Sequence, residues 1–323
     1  MTTEQTQWLL DSPEPWTRYR TLIDLLDRPI DDSEVQETRQ DLLGHPLVQE
    51  LIAKTADWPG YALKRHNDAR HPVYAFTTLA DFGVQAADPG MAPGTEAVLV
   101  HQSPEGMFET YAFLYKRFAG IDGEHWTWMA CDAPILYALT AMGLSENGDV
   151  QAALNYILGT VQTNGWRCRA SANLGSFKGP GRREAPCPIV NVMNLRIIAN
   201  YSRLIDSEAA HLGAEMLLRH WSQRGQIKHF MFGIGTDFRK LKYPFVWYDI
   251  LHTVDVLSNF PIVCDDPRFL EMVETITEQA DEQGRYTANS MYMAWKGWSF
   301  ADKKEPSPWL TFLVNRILKR ITN

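Results

Sequence analysis

Apolar residues recur along this chain in six segments that each begin with proline or an aromatic residue, run for about three helical turns and stop at a turn. They are Pro15–Leu26, Pro72–Gly83, Pro134–Gly143, Ile189–Tyr201, Trp247–Ser258 and Pro308–Lys319. Each is apolar around most of its circumference, the pattern of a helix packed on both sides. The stretches between them, Ser33–Leu43, Asp149–Val161, Ser207–Trp221 and Arg268–Asp281, carry one charged face and predict outer, solvated helices. Proline at a first helical position costs little, because that N–H has no partner within the helix, and Asp265 or Asp266 before Pro267 supplies a start signal for the last outer helix.

Several outer segments are followed by a glycine-plus-aromatic turn, at Gln102–Phe108, Gln162–Trp166 and Asp281–Tyr286. Glycine permits a positive φ at a helix end, and the ring after it can cover the apolar end of the helix pair. Inner helix, outer helix and turn together make a unit of roughly 50 to 60 residues, a period that signifies stacked architecture. About six such pairs closing into a ring would bury the ends that an open array exposes, with the Pro308 helix returning beside the Pro15 helix. The expectation is one all-α domain over residues 1–323, with a long, mobile loop at about 169–186.

Composition agrees and narrows the function. With 45% hydrophobic and 22% charged residues in 323, the chain can bury a large core and is not disordered. A net charge of −8 gives no electrostatic reason to bind nucleic acid. No apolar run approaches the ~18 residues of a membrane span, and the N-terminal stretch lacks the layout of a signal peptide, so a cytoplasmic protein is expected. Cys131, Cys168, Cys187 and Cys264 form no CxxC pair. Buried thiols are expected, and a disulfide joining Cys168 to Cys187 is not, in a reducing compartment.

The layout resembles the repeats of squalene-hopene-type cyclases and of protein prenyltransferase β subunits. Cys131–Gly143 followed by Gln162–Cys168 is similar to one complete repeat, its Gln-to-Gly-Trp turn resembling the cyclases' Gln/Trp motif. Tyr248–Thr253 resembles the inner helix on which prenyltransferases carry a zinc-binding histidine, and Lys304–Lys319 resembles a terminal helix of uncharacterised bacterial members. The resemblance implies an α/α-toroid (α/α-barrel) of about six helix pairs with an apolar central cavity. The chain departs from the family in its chemistry. It has no Asp-x-Asp-Asp proton-donor motif, no Asp-Asp-x-x-Asp diphosphate motif, and no Asp-x-Cys pair to join a zinc-binding histidine.

Candidate chemistry follows from residues placed against the pattern. Asp249, His252 and Asp255 interrupt an apolar inner segment, with Asp249 and His252 on one face, suited to an acid or base; a satisfied core histidine is the alternative. His125, Cys131 and Asp132 precede the Pro134 helix and offer three zinc-compatible ligand types, though Asp132 also fits a helix cap or a second catalytic carboxylate. Lys178, Arg182 and Arg183 lie on the long loop and could neutralise an anion. Arg18 and Arg20 sit early on a helix, where a cation opposes the dipole and needs an acid, from a neighbouring repeat or from a ligand. Trp128, Trp166, Trp309 and Tyr248 could line a cavity or pack between layers.

The leading expectation is a protein with a central apolar cavity for a hydrophobic, isoprenoid-like molecule. The alternatives are a non-catalytic helical scaffold for a protein partner and a carbohydrate-active barrel, which needs two carboxylates facing each other.

Overall fold

The structure, a computed structural model, describes residues 2–116, 122–132, 134–174, 184–227, 229 and 232–322. Lys178, Arg182 and Arg183 lie outside the described residues, as does the Asp132 side chain.

Most helices start where the sequence supplies proline or a capping side chain. Helix α1 spans Thr3–Leu10, α2 spans Pro15–Arg20 and continues as a π-helical turn over Thr21–Leu25, α3 spans Ser33–Gly44 and α4 spans Pro46–Ala56. Between α3 and α4 the imidazole of His45 accepts from the Leu47 N–H and Pro46 opens the new helix, so the expected outer helix Ser33–Leu43 is followed by a second one that the sequence pattern does not single out. Next come α5 (Pro72–Phe82) and α6 (Ala92–Leu99), then α7 (Pro134–Leu139), which passes into a second π-helical turn over Thr140–Leu144. The remaining helices of two turns or more are α8 (Gly148–Thr160), α9 (Pro188–Ile198), α10 (Glu208–Ser222), α11 (Ile250–Leu257), α12 (Pro267–Thr277) and α13 (Pro308–Thr322). Asp266 caps α12, accepting from the Arg268 N–H at 2.8 Å.

The expectation of an all-α chain needs one correction. Strands β1 (Thr110–Leu114) and β2 (Gly123–Thr127) pair antiparallel, with Thr110 opposite Thr127. Thr, Tyr, Phe and Trp in short alternation favour a pleated, half-buried ribbon over a helix. His125 lies on β2 opposite Ala112, so it does not lead into α7.

The apolar segments touch in a cycle: α2 packs on α5, α5 on α7, α7 on α9, α9 on α11, α11 on α13, and α13 back on α2. Outside them, α3 packs on α2, α4 on α5, α8 on α7, α10 on α9 and α12 on α11. Lys319 of α13 ties the return, its Nζ donating to the carbonyls of Asp24 and Leu25 at 3.0 and 3.2 Å.

Where the inner helices meet, the filling is polar as well as aromatic. Asp81 of α5 accepts from Arg196 of α9, from the hydroxyl of Tyr137 of α7 at 2.6 Å and from that of Tyr243 at 2.8 Å. The Arg196 guanidinium also lies 3.7 Å over the Tyr137 ring. Asp255 of α11 accepts from Arg316 of α13 at 2.7 Å and from Arg320 at 3.2 Å, and Asp24 pairs with Arg20 at 2.7 Å. Burial would push the Asp255 carboxyl up, but Arg316 and Arg320 outweigh it and hold it below its ordinary value. Trp309, fully buried, packs edge-on to Phe82 and stacks on Phe312.

Candidate functional site

Asp249 and His252 stand together, though not as a carboxylate–imidazole pair. The helix begins at Ile250, so Asp249 is its cap: Oδ1 accepts the His252 backbone N–H at 3.0 Å. The His252 ring donates from Nδ1 to the Trp247 carbonyl at 3.1 Å, which fixes the tautomer with a bare Nε2, and stacks on Phe245 at 4.6 Å. Both residues are 0% exposed. Asp249 Oδ2 and His252 Nε2 have no hydrogen-bond partner among the described residues. Burial pushes the Asp249 carboxyl up to about 7, with Lys242 opposing, and pushes the His252 imidazole down to about 3, with Arg196 adding to the effect. The pair is therefore a carboxyl that is protonated in a large fraction of molecules, about half, near neutrality, beside an imidazole that stays neutral. Asp255, one turn on, belongs to the Arg316 ion pair.

The other sequence-derived candidates are spread over the molecule. Arg18 bonds Asp41 at 2.6 Å and the Ser12 carbonyl at 3.1 Å, the internal bridge of the two options open to it. Trp128 and Trp166 are each 1% exposed; Trp166 donates from its indole N–H to the Ile157 carbonyl at 2.9 Å. The space between them is about 10 Å³, room for one water at most. The Tyr248 hydroxyl contacts His220 Nε2 at 3.2 Å, and burial raises its phenol. His125 Nε2 lies 3.3 Å from the Asp122 carbonyl, while the imidazole beside Cys131 is that of His66. Among the described residues, no group of three or more His, Cys, Asp or Glu side chains is placed to hold a metal ion.

A recess of about 740 Å³ opens at the N-terminal end of α2, lined by Glu14, Trp16, His45, Trp298 and Ser299, with Lys296, Lys303 and Lys304 among its other walls. A volume of this size is in the range that accepts a small organic ligand. Its back wall is aromatic and continuous with the core. Phe82 stacks on Trp16 at 4.9 Å, Trp16 meets Trp298 at 5.1 Å, and Trp298 stacks on Phe300 at 5.2 Å. Glu14 is buried at the edge, taking the Thr17 hydroxyl at 2.9 Å, and burial raises its carboxyl above the ordinary value against the hydroxyls of Ser299 and Thr17. The three lysines are exposed, and no ion pair engages them among the described residues. Asp302 adds one acid, turned to the Lys304 backbone N–H at 2.8 Å.

Of these recess residues, Trp16 falls in the first apolar segment and Lys304 opens the Lys304–Lys319 stretch, and neither was a candidate by itself. The signal for the rest was present: Gly297-Trp298 repeats the glycine–aromatic pairing of Gly165-Trp166, and Lys303-Lys304 follows it closely.

No family model matches the chain, and no curated protein matches it. Among solved structures it is similar to the type II terpene cyclase MstE from Scytonema, with 12% identity over 90% of this chain and 84% of that one and a TM-score of 0.46. A substituted form of that cyclase, in complex with its substrate geranylgeranyl dihydroxybenzoate, gives 11% identity over 95% and 86% of the two chains and a TM-score of 0.46. A protein from Actinoplanes gives 13% identity over 96% and 90%, with a TM-score of 0.40. A likeness this distant carries no argument about substrate or reaction.

Proposed function

We propose that this chain binds an amphiphilic small molecule, with an isoprenoid-like apolar body and an anionic head, in the recess beside α2. One observation carries the proposal: an aromatic wall of Trp16 and Trp298 faces a rim bearing Lys296, Lys303 and Lys304 in a recess of about 740 Å³. Rings offer a large apolar contact at low entropic cost, and ammonium groups at the edge that are in no ion pair among the described residues attract a phosphate or carboxylate without an existing pair being broken first. The architecture assumed is an α/α-toroid of about six inner–outer pairs, supported by the cycle of contacts from α2 to α13 and back and by outer partners on five of the six inner helices. The proposed ligand seat is therefore at one end of the ring, since Asp81, Arg196, Tyr137 and Tyr243 occupy the meeting point of the inner helices.

The test uses tryptophan fluorescence and calorimetry with farnesyl diphosphate, farnesol and inorganic diphosphate as probes. Saturable binding of the first, weaker binding of the second and negligible binding of the third are expected. Trp298→Ala should weaken it about tenfold through lost apolar contact. The double charge reversal Lys303→Glu/Lys304→Glu should weaken the diphosphate ester alone, and less so at high salt. Equal affinity of all variants for all three probes would remove the recess as the site.

A catalytic role for the same chain is favoured by the bare Asp249 Oδ2 and His252 Nε2. In this second reading Asp249, raised to about 7, is the proton donor and the neutral His252 beside it the acceptor. Turnover of a bound polyprenyl ester that survives Asp249→Asn unchanged would exclude it.

A further inference from the structure

Three cysteines that are far apart in sequence are neighbours in the fold. Cys131 precedes α7, Cys168 follows the Gly165 turn, and Cys187 caps α9. The Cys131 and Cys168 sulfurs are 4.0 Å apart. Backbone register explains the approach. Met129 and Ala170 form an antiparallel bridge, held by Ser171 N–H to Trp128 O at 2.9 Å and Ala130 N–H to Arg169 O at 2.8 Å. Cys131 follows Met129 by two residues, in the 3-10 turn Ala130–Asp132, and Cys168 precedes Ala170 by two, so the bridge draws the two segments together where the cysteines stand.

An imidazole completes the group. The Cys131 sulfur is 3.6 Å from both ring nitrogens of His66, so in either tautomer a nitrogen able to take a proton faces the thiol. His66 is only partly buried and stacks near Trp247, giving the sulfur a polar neighbour on the side toward solvent. Cys187 touches the group from Cys168, and this thiol–thiol contact, with burial, raises its pKa well above the ordinary value. Two sulfurs in contact and one imidazole suit proton and sulfur chemistry; as noted, the described residues form no metal-binding group.

We propose that Cys131 and Cys168 form a peroxide-reactive thiol pair, with His66 as the base that activates Cys131. A hydroperoxide supplies the oxidant. His66 takes the Cys131 proton, the thiolate attacks the outer peroxide oxygen, the S–O bond forms as the O–O bond breaks, and the leaving oxyanion recovers the proton from His66. Cys168 then gives up its proton and attacks the Cys131 sulfur; the S–S bond forms and the S–O bond breaks, releasing water. Two electrons leave the two sulfurs for one peroxide, and two thiols plus ROOH become a disulfide, ROH and water. The product clamps the entry to α7 against the segment leading out of α8.

Cys264 provides an internal control. It is more exposed than Cys131, and its hydrogen-bond partner among the described residues is the Phe260 carbonyl at 3.7 Å, with no imidazole and no second sulfur beside it there. If exposure alone governed oxidation, Cys264 would react first. The intact protein is treated with a few equivalents of hydrogen peroxide and mapped without reduction. A Cys131–Cys168 crosslink, reversed by dithiothreitol and lost when the protein is oxidised in urea, is expected. In Cys168→Ser, dimedone should label Cys131 before Cys264. His66→Gln, with an unchanged far-UV spectrum, should slow the crosslink by about tenfold. A Cys168–Cys187 crosslink in place of the proposed one, first reaction at Cys264, or no crosslink at all would overturn the pair, and an unchanged rate in a folded His66→Gln would overturn the role of the histidine.

Discussion

Asp249 and His252 are adjacent and fully buried, yet they pull the pH dependence of stability in opposite directions. The folded imidazole resists a proton down to about 3, while the unfolded one accepts it near 6.5, so the contribution of His252 is present above 6.5 and lost as pH falls toward 3. The folded carboxyl keeps its proton up to about 7 while the unfolded one ionises near 3.8, so the contribution of Asp249 is greatest below 3.8 and declines as pH rises through 7. Between those limits the two slopes largely cancel. Asp249→Asn, which retains a cap acceptor, should make the urea midpoint climb more steeply from about pH 4.5 to about pH 6.5, and His252→Gln should make it fall over the same interval. Parallel profiles for both variants and the parent would show that neither shift is present. The sequence displayed both residues and their interest; it did not display that Asp249 precedes the first helical residue, which turns an expected face-sharing pair into a cap and its helix.

Helix ends and crossings depend on a few small residues. Gly165 sits at φ +92°, and Asn191 closes the turn, its side chain accepting from the Trp166 N–H at 3.0 Å and donating to the Trp166 carbonyl at 2.9 Å. The Trp166 ring then lies directly on Gly213 of α10, where an added Cβ would collide with the indole and press on Leu195. Gly213→Ala should therefore destabilise the fold by about 1–3 kcal/mol, despite alanine's better helix propensity, with the loss read from chemical denaturation. A gain in stability would mean that the indole moves aside freely. The Gly165-Trp166 turn was legible because its signature is local. Gly213 was not, since a glycine inside an amphipathic helix has its reason on another helix. The hairpin of β1 and β2 was missed on similar grounds: its segments are short, and a search for helical spacing passes over an alternation of five residues.

For the whole molecule, six apolar segments announced six helices that do touch in a cycle, because a helix apolar on all sides has to be enclosed. Their common centre was harder to foresee. Asp81 and Arg196 are each the one charge on an otherwise apolar segment, Asp255 and Arg316 are each one of two, and a single sequence does not say that each finds its opposite on another segment. Removing one partner leaves a buried charge unpaired. Arg196→Met is expected to cost about 3–5 kcal/mol in denaturant titration, and Arg18→Met, whose partner Asp41 is exposed, under about 1 kcal/mol. Similar losses for the two would mean that the central pair is as well hydrated as the peripheral one.

Trp16 is both a wall of the recess and a core residue, 2% exposed and stacked on Phe82 of α5. Occupancy of the recess and integrity of the core are thus thermodynamically linked through a single indole. A molecule that rests on Trp16 raises the melting temperature in proportion to the logarithm of its concentration once it is saturating. By the same linkage, thinning the far side of that wall with Phe82→Leu, a residue outside the recess lining, is expected to lower the affinity of the proposed ligand, so the seat would be shaped partly by residues that the ligand does not meet.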